Sequence, residues 1–554
     1  MSAATQVPPF AKGGLGGIKL LTDHIAIWTD ADTERKSGRG RSSGNATSVY
    51  GIRKLRELIL ELAVRGKLVP QDANDEPASA LLKRIQTEKA KLIAEGKIKK
   101  EKSLPSITGD EKPFELPQGW EWARLGNLFD VVYGKGLSNS ELTEEGYEVF
   151  GANGIIGRYS SYSYSEPQLL ISCRGAYSGK PNISPPFCFI TSNTLVLQNT
   201  WEYLNLQFFF YALTIADKEK IVTGSAQPQV TTTNLDPFLV VLPPLAEQHR
   251  IVAKVDELMA QCDQLETRHN NAADAHEKLV SHLLGTLTQS QNAEYFSANW
   301  QRIAAHFDTL FTTEASIDAL KQALLQLAVM GKLVPQNPND EPASELLKRY
   351  KIASTTSFIT GWSKVSLGAL GDIYGGATPS KAKPEYWVGS IPWISPKDMK
   401  RFYIDDAEDK VSESAIRDTA LKLIPAGSLL MVVRGMILAH SFPVALTTSE
   451  VTINQDMKAL VVPGEIKDYL LLCMRAMKNS FVALVDRSSH GTCKLISEKL
   501  WTAIVAIPPL SEQHRIVAKV DELMALCDQL KTRITQTNQL QQKLADVVVE
   551  QAIA

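Results

Sequence analysis

Two stretches of this chain occur twice at one separation. Leu62 to Arg84 reads LAVRGKLVPQDANDEPASALLKR and Leu327 to Arg349 reads LAVMGKLVPQNPNDEPASELLKR, identical at 19 of 23 positions. A second block, PPLAEQHRIVAKVDELMAQCDQLETR from Pro243, returns as PPLSEQHRIVAKVDELMALCDQLKTR from Pro508, identical at 23 of 26. Both shifts are 265 residues. Blocks repeated at a fixed period mean a repeated architecture, so the chain must build the same scaffold twice. Between the blocks, residues 117–242 and 361–507 share only scattered positions. The scaffold is duplicated and what it carries is not. Gly119-Trp120 matches Gly361-Trp362 at an offset of only 242, so the first half has the longer linker and the second the longer variable segment.

The repeated blocks read as helices. After the Pro-Pro stop, Ile251, Val255, Leu258, Cys262 and Leu265 step by 4, 3, 4 and 3, the spacing of a coiled-coil seam, and Ile516, Val520, Leu523, Cys527 and Leu530 repeat it. Each pattern can run for about 40 residues, a rod of roughly 60 Å. A shorter amphipathic helix precedes each GKLVPQ, with Ile52, Leu55, Leu58, Ile59 and Leu62 matching Ile317, Leu320, Ala323, Leu324 and Leu327. Gly66 and Gly331 are placed to end it, with Pro70 and Pro335 following. The variable segments contain runs such as QLLISCRGAYSG, FCFITSNTLVLQ and GSLLMVVRGMILA, which read as strands and turns.

The expected order is an N-terminal extension (1–50), repeat helices and linker (51–116), a first variable domain (117–242), a central helical spacer (243–360), a second variable domain (361–507) and a C-terminal helix (508–554). Residues 85–115 form a basic helical stretch running into a linker, its lysines a solvated face. The terminal helices together supply the two blocks that the centre supplies alone. They are therefore expected to pack on each other, giving a circularly organised, pseudo-two-fold α+β protein. In it, two mixed, strand-rich domains are separated by long antiparallel coiled-coil helices.

At 554 residues the chain exceeds one core, which stops growing near roughly 250–300 residues. With 44% hydrophobic and 22% charged residues it has the balance of a folded protein. No apolar run approaches the roughly 18–20 residues that span a bilayer, and the polar start lacks the marks of a signal peptide, so the cytoplasm is expected and no membrane partner is. Six scattered cysteines form no CxxC pair and read as reduced, buried thiols, with neither zinc nor disulfides. The net charge of −2 is low for a protein that grips phosphates; either charge is segregated onto one face or a partner supplies it.

The sequence resembles the specificity subunits of type I restriction-modification enzymes. The resemblance rests on the Gly-Trp step followed by LGALGDIYGGATPS (Leu367 to Ser380), on PWISPKDM from Pro392, and on a PPLxEQHRIV block closing each half. It covers nearly the whole chain from about residue 50. It implies that each variable domain is a target-recognition domain reading one half of a split, asymmetric DNA sequence, with the helices setting the gap. It also implies that this chain catalyses nothing and binds no cofactor. Its partners would be double-stranded DNA, two methyltransferase subunits that use S-adenosylmethionine on adenine N6, and up to two motor-nuclease subunits that use ATP and Mg. The first domain has YGKGLSNS from Tyr133 where TPS is expected, which puts its target sequence in doubt and not its role.

Base reading needs donors and acceptors that reach a groove. In the first domain GSAQPQVTTTN offers Gln227, Gln229, Thr231 and Thr232; its counterpart SSHGTCKLIS offers Ser489, His490, Thr492 and Lys494. Solvated hairpin tips are the alternative for both. Arg174 in SCRG and Arg434 in VVRG sit at equivalent strand ends, either to contact DNA or to pair with a carboxylate inside the domain. Further candidates are Lys135, Asn139 and Asn153, then Thr378, Ser380, Lys381, Lys397, Asn454 and Gln455, most of them turn residues by chemistry alone. Glu247, Gln248, His249 and Arg250, with Glu512, Gln513, His514 and Arg515, are scaffold positions that cap helices or anchor a methyltransferase subunit.

Two rival classes remain. Ser184-Pro185-Pro186-Phe187 is similar to the catalytic tetrapeptide of adenine methyltransferases, but no Gly-rich cofactor loop precedes it, so it reads as a turn. No GxxxxGK[ST] loop is present either. A purely structural coiled-coil adaptor would leave two unlike domains idle.

Overall fold

The seams become two helices of 44 residues, Leu245–Thr288 and Leu510–Ile553. The structure, a computed structural model, describes residues 25–31, 49–96, 104–199, 203–224, 227–357, 359–487 and 493–553. The chain divides into two compact units, Met1–Ala272 with Thr537–Ala554, and Ala273–Gln536. Each long helix therefore begins in one unit and ends in the other. Ile251, Val255, Leu258 and Cys262 are buried in the first unit, and Ile516, Val520 and Cys527 in the second.

Helix Tyr50–Val64 and the end of the C-terminal helix meet within the first unit. Helix Tyr50–Val64 buries Ile52, Leu55, Leu58, Ile59 and Leu62 in one core with Ala545, Val548 and Val549 of the C-terminal helix. Tyr50 Oη donates to both Asp546 carboxylate oxygens at 2.7 and 2.8 Å, and Arg65 Nη1 donates to the Ile553 carbonyl at 2.9 Å. The second unit repeats this packing. Val280, Leu284 and Leu287 share a core with Ile317, Leu320, Leu324 and Leu327 of helix Glu314–Val329. Both short helices end on glycines in the left-handed region, Gly66 at φ 65° and Gly331 at φ 67°. Lys67 N donates back to Leu62 O at 2.8 Å and Lys332 N to Leu327 O at 3.0 Å, which satisfies carbonyls that the helix end would leave open. The basic stretch is helical only to Ala94, and residues 97–103 lie outside the described part.

The two variable domains share one topology despite their divergent sequences. The first has an antiparallel sheet in the order Asp130–Tyr133, Thr194–Gln198, Leu169–Ser172, Pro181–Ile183. The second has Asp372–Gly375, Met457–Val461, Leu429–Val432, Val444–Thr447, with Tyr403–Ile404 added at the edge. Leu169–Ser172 and Leu429–Val432 are buried at every position, so both faces of each sheet's middle are covered. A matching short parallel pair occurs in each domain, Val149 and Phe150 beside Phe189 and Ile190, and Trp393 and Ile394 beside Thr452 and Ile453. Each is closed by its first and last strands, Glu121–Arg124 with Leu239–Leu242 and Ser363–Ser366 with Ile504–Ile507.

The closing strand leads straight into the Pro-Pro stop, and there the scaffold grips the domain. Glu247 is 1% exposed; it accepts from Trp120 Nε1 at 2.8 Å and from Gln71 Nε2 at 3.3 Å. Glu512, also 1% exposed, accepts from Trp362 Nε1 at 3.0 Å. Gln248 Nε2 donates to Pro243 O and Gln513 Nε2 to Pro508 O, both at 2.9 Å. Arg250 pairs with Asp75 at 2.5 Å and Arg515 with Asp340 at 2.7 Å, joining the long helix to the other repeated block. Glu247, Gln248, Glu512 and Gln513 were expected as caps or partner anchors, and the second role is corrected. They are buried and turned to internal donors and acceptors, leaving no surface for a partner. His249 and His514 are the exposed members of the two quartets.

Candidate nucleic-acid interface

In both domains the middle strand runs into an Arg-Gly step, and a polar loop is bonded to it. Gly175 N donates to Pro228 O and Val230 N to Cys173 O, both at 3.0 Å. In the second domain Gly435 N donates to Cys493 O at 3.0 Å and Leu495 N to Val433 O at 2.9 Å. Gln229 thus lies opposite Arg174, and Lys494 opposite Arg434, with all four side chains exposed. Residues far apart in sequence become one constellation, built twice.

A second crossing is also built twice. Lys135 N donates to Ile190 O at 2.9 Å, and Ala377 N to Ile453 O at 3.0 Å. Immediately before them stand Gly134 and Gly376. A Cβ on Gly134 would overlap the main-chain oxygens of Ile190 and Thr191, and one on Gly376 those of Ile453 and Asn454. Glycine is required here for close approach of two backbones. Gly134-Lys135 in the first domain and Gly376-Ala377 in the second therefore make the same crossing.

What the shared backbone displays differs. Arg434 stands 3.7 Å from Asp456, whose carbonyl accepts from Val433 N at 2.9 Å. The matching carbonyl in the first domain, accepting from Cys173 N at 3.0 Å, belongs to Asn193. Among the described residues no carboxylate pairs with Arg174. Asn153 accepts from Lys180 Nζ at 2.8 Å, and that ammonium lies 5.7 Å from the centre of the exposed Tyr177 ring. Lys135 and Asn139 are exposed, the latter on the short helix Asn139–Glu141. Gln227 is exposed, and Thr231 and Thr232 are half-buried where helix Thr232–Leu235 begins.

In the second domain Thr378 Oγ1 donates to Gln455 Oε1, joining two exposed candidates. Ser380 and Lys381 are exposed beside them. Lys397 sits between Asp409 at 2.9 Å and Glu408 at 3.1 Å, so its charge is offset locally. Asn454 is corrected: it is 7% exposed and its Oδ1 accepts from Asp456 N at 3.0 Å, so the side chain closes its own turn and offers no edge to a base. Ser489, His490 and Thr492 lie outside the described residues.

The profile described as "Type I restriction modification DNA specificity domain" matches residues 117–274 and 359–542. The chain is 36% identical to the Type I restriction enzyme EcoAI specificity subunit of Escherichia coli, over 97% of this chain and 99% of that one. The chain belongs to the type I restriction-modification DNA specificity family. The Type I restriction enzyme EcoEI specificity subunit of Escherichia coli is 35% identical over the same shares. A solved chain described as the HsdS subunit from Thermoanaerobacter tengcongensis aligns at 17% identity over 80% of this chain and 98% of that one, with a TM-score of 0.37.

Membership makes the chain a DNA-specificity subunit, a recognition component and not an enzyme, with no cofactor of its own. The methyltransferase-like tetrapeptide is a turn. Ser184 is buried and exchanges two 2.9 Å bonds with the backbone of Gln168. All six cysteines are buried and none forms a disulfide, and burial pushes the Cys262 thiol up to about 11 and the Cys473 thiol up to about 12. No helix among the described residues is long and apolar enough to cross a membrane.

Sequence reasoning missed Lys180, Tyr177, Asn193 and Asp456. Lys180 and Tyr177 follow Arg174 within six residues, and the shared Arg-Gly turn was the signal that could have found them. The pairing of Asn193 with Asp456 needs the strand register, which the diverged sequences hide.

Proposed function

We propose that this chain reads a bipartite, asymmetric DNA sequence, one half with each strand-rich domain, and directs adenine-N6 methylation and restriction by partner subunits. The observation that carries this is the double constellation. A shared strand-and-loop frame presents Arg174 and Gln229 in one domain and Arg434 and Lys494 in the other, with a Lys180–Asn153 pair in the first and a Thr378–Gln455 pair in the second. Groove reading works by placing different donors and acceptors on a common frame, so unlike side chains mean unlike half-sites. The partners are two methyltransferase subunits, which carry S-adenosylmethionine, and up to two motor-nuclease subunits, which carry ATP and Mg. His249 and His514, exposed at the start of the long helices, and the half-exposed Arg250 and Arg515 are the remaining candidates for partner contact. The complex works in the cytoplasm.

With a net charge of −2 the chain alone has little to spend on phosphates, so positioning contacts come largely from the partners and specifying contacts from this chain. The test is equilibrium binding to a duplex pool, with and without the methyltransferase. Sequence-selective, salt-sensitive binding that needs both supports the reading. Tight, selective binding by the isolated chain at physiological salt overturns the division of labour, and no selectivity with the partner present overturns the reading itself.

A further inference from the structure

The hairpin Tyr147–Gly151 with Gly154–Tyr159 in the first domain contains a bulge. Val149 pairs with Gly157 and Phe150 with Ile155, so Ile155 and Ile156 together face one residue of the partner strand. In a regular strand consecutive side chains point to opposite faces, and one of this pair would be buried. The bulge lets both escape: Ile155 is 47% and Ile156 49% exposed. Gly151 provides the space, since a Cβ there would press on the Ile156 side chain. Two large aliphatic side chains held side by side at the surface gain free energy when a partner covers them.

Their surroundings indicate what does. The hairpin tip is tied to the strand end that carries Arg174: Thr194 Oγ1 donates to Gly151 O at 3.0 Å, Ser172 Oγ donates to Ala152 O, and Lys180 Nζ donates to Asn153 Oδ1 at 2.8 Å. The isoleucines thus stand beside a frame of cationic and amide groups. The apolar feature of a major groove is the C5 methyl of thymine. We propose that Ile155 and Ile156 form an apolar finger that reads a thymine methyl in the half-site of the first domain. This rests on the DNA-reading role proposed above.

The test uses the complex with its methyltransferase and the duplex found to be its target. Each thymine of the first half-site is replaced in turn by deoxyuridine, which lacks only the methyl, for the wild type and for an Ile155→Ala/Ile156→Ala variant. At one position the wild type loses about fourfold in affinity or more, the worth of one buried methyl, and the variant loses nothing there. The variant matches the wild type in melting temperature and in the slope of log K against log salt, because no phosphate contact is removed. Equal sensitivity of both proteins at every position, no sensitivity in the wild type, or a first half-site made only of G·C pairs overturns the finger while leaving the DNA-reading role intact. Failure of the wild-type complex to select any target is the separate result that removes the role.

Discussion

Replacing Trp362 with phenylalanine removes the indole N–H that Glu512 accepts at 3.0 Å and leaves a carboxylate that is 1% exposed without its donor. The other oxygen, Oε1, already has no hydrogen-bond partner. A bond to a charged acceptor is worth about 1.5–3 kcal/mol, and orphaning the buried group moves the cost to the upper end, about 2–3 kcal/mol. For a unit of this size that lowers the melting temperature by roughly 4–6 °C. Trp120→Phe in the first unit costs less, about 1–2 kcal/mol, because Gln71 Nε2 still donates to Glu247 at 3.3 Å. Burial, acting against the Trp362 bond, raises the Glu512 carboxyl above its ordinary value of 4.5. Its contribution to stability is therefore fully present below that ordinary value and is lost as pH rises through the raised one. The Trp362→Phe penalty shrinks on acidification, since a protonated Glu512 needs no donor to remain buried. Urea unfolding followed by circular dichroism, in a cycle with Glu512→Gln at neutral and mildly acid pH, measures this. Coupling of about 1–2 kcal/mol at neutral pH is expected. Additive effects, or equal penalties for Trp120→Phe and Trp362→Phe at every pH, refute the reasoning.

Arg174→Ala reduces the slope of log K against log salt by about 1, whereas Arg434→Ala reduces it less, because Asp456 already offsets that charge at 3.7 Å; fluorescence titration of the partnered complex across salt concentrations measures both. Gly134→Ala and Gly376→Ala each force two backbones apart at the crossing and cost about 1–3 kcal/mol, read as a fall in melting temperature accompanied by loss of target selectivity. Truncation after residue 536 exposes the face of Tyr50–Val64 that covers Ala545, Val548 and Val549 and breaks the Tyr50–Asp546 bonds. Limited proteolysis is then expected to cut helix Tyr50–Val64 first.

The scaffold was legible because its pattern is written twice. Ile251, Val255, Leu258 and Cys262 repeat as Ile516, Val520, Leu523 and Cys527, and only a buried seam demands that spacing. The meeting of helix Tyr50–Val64 with the C-terminal helix followed from counting which blocks each terminus lacks. The shared topology of the recognition domains was not legible: strands of four residues buried on both faces, such as Leu169–Ser172 and Leu429–Val432, show no alternation that would fix a register. The burial of the Glu-Gln pairs was not legible because glutamate and glutamine are normally surface residues. Their burial depends on Trp120 and Trp362, which lie more than a hundred positions away in sequence. The polar loops after the Arg-Gly steps were found by composition, but their junction with those arginines required the fold.

The most direct measurement is single-molecule sequencing of genomic DNA from a methylation-free host that expresses this chain with its methyltransferase. A second host carries the chain with residues 361–507 exchanged for those of a relative. The account predicts an N6-methyladenine motif split by a fixed gap into two unlike halves, of which the exchange alters only one. No motif, a continuous or palindromic motif, or methylation by this chain without its partner would contradict it.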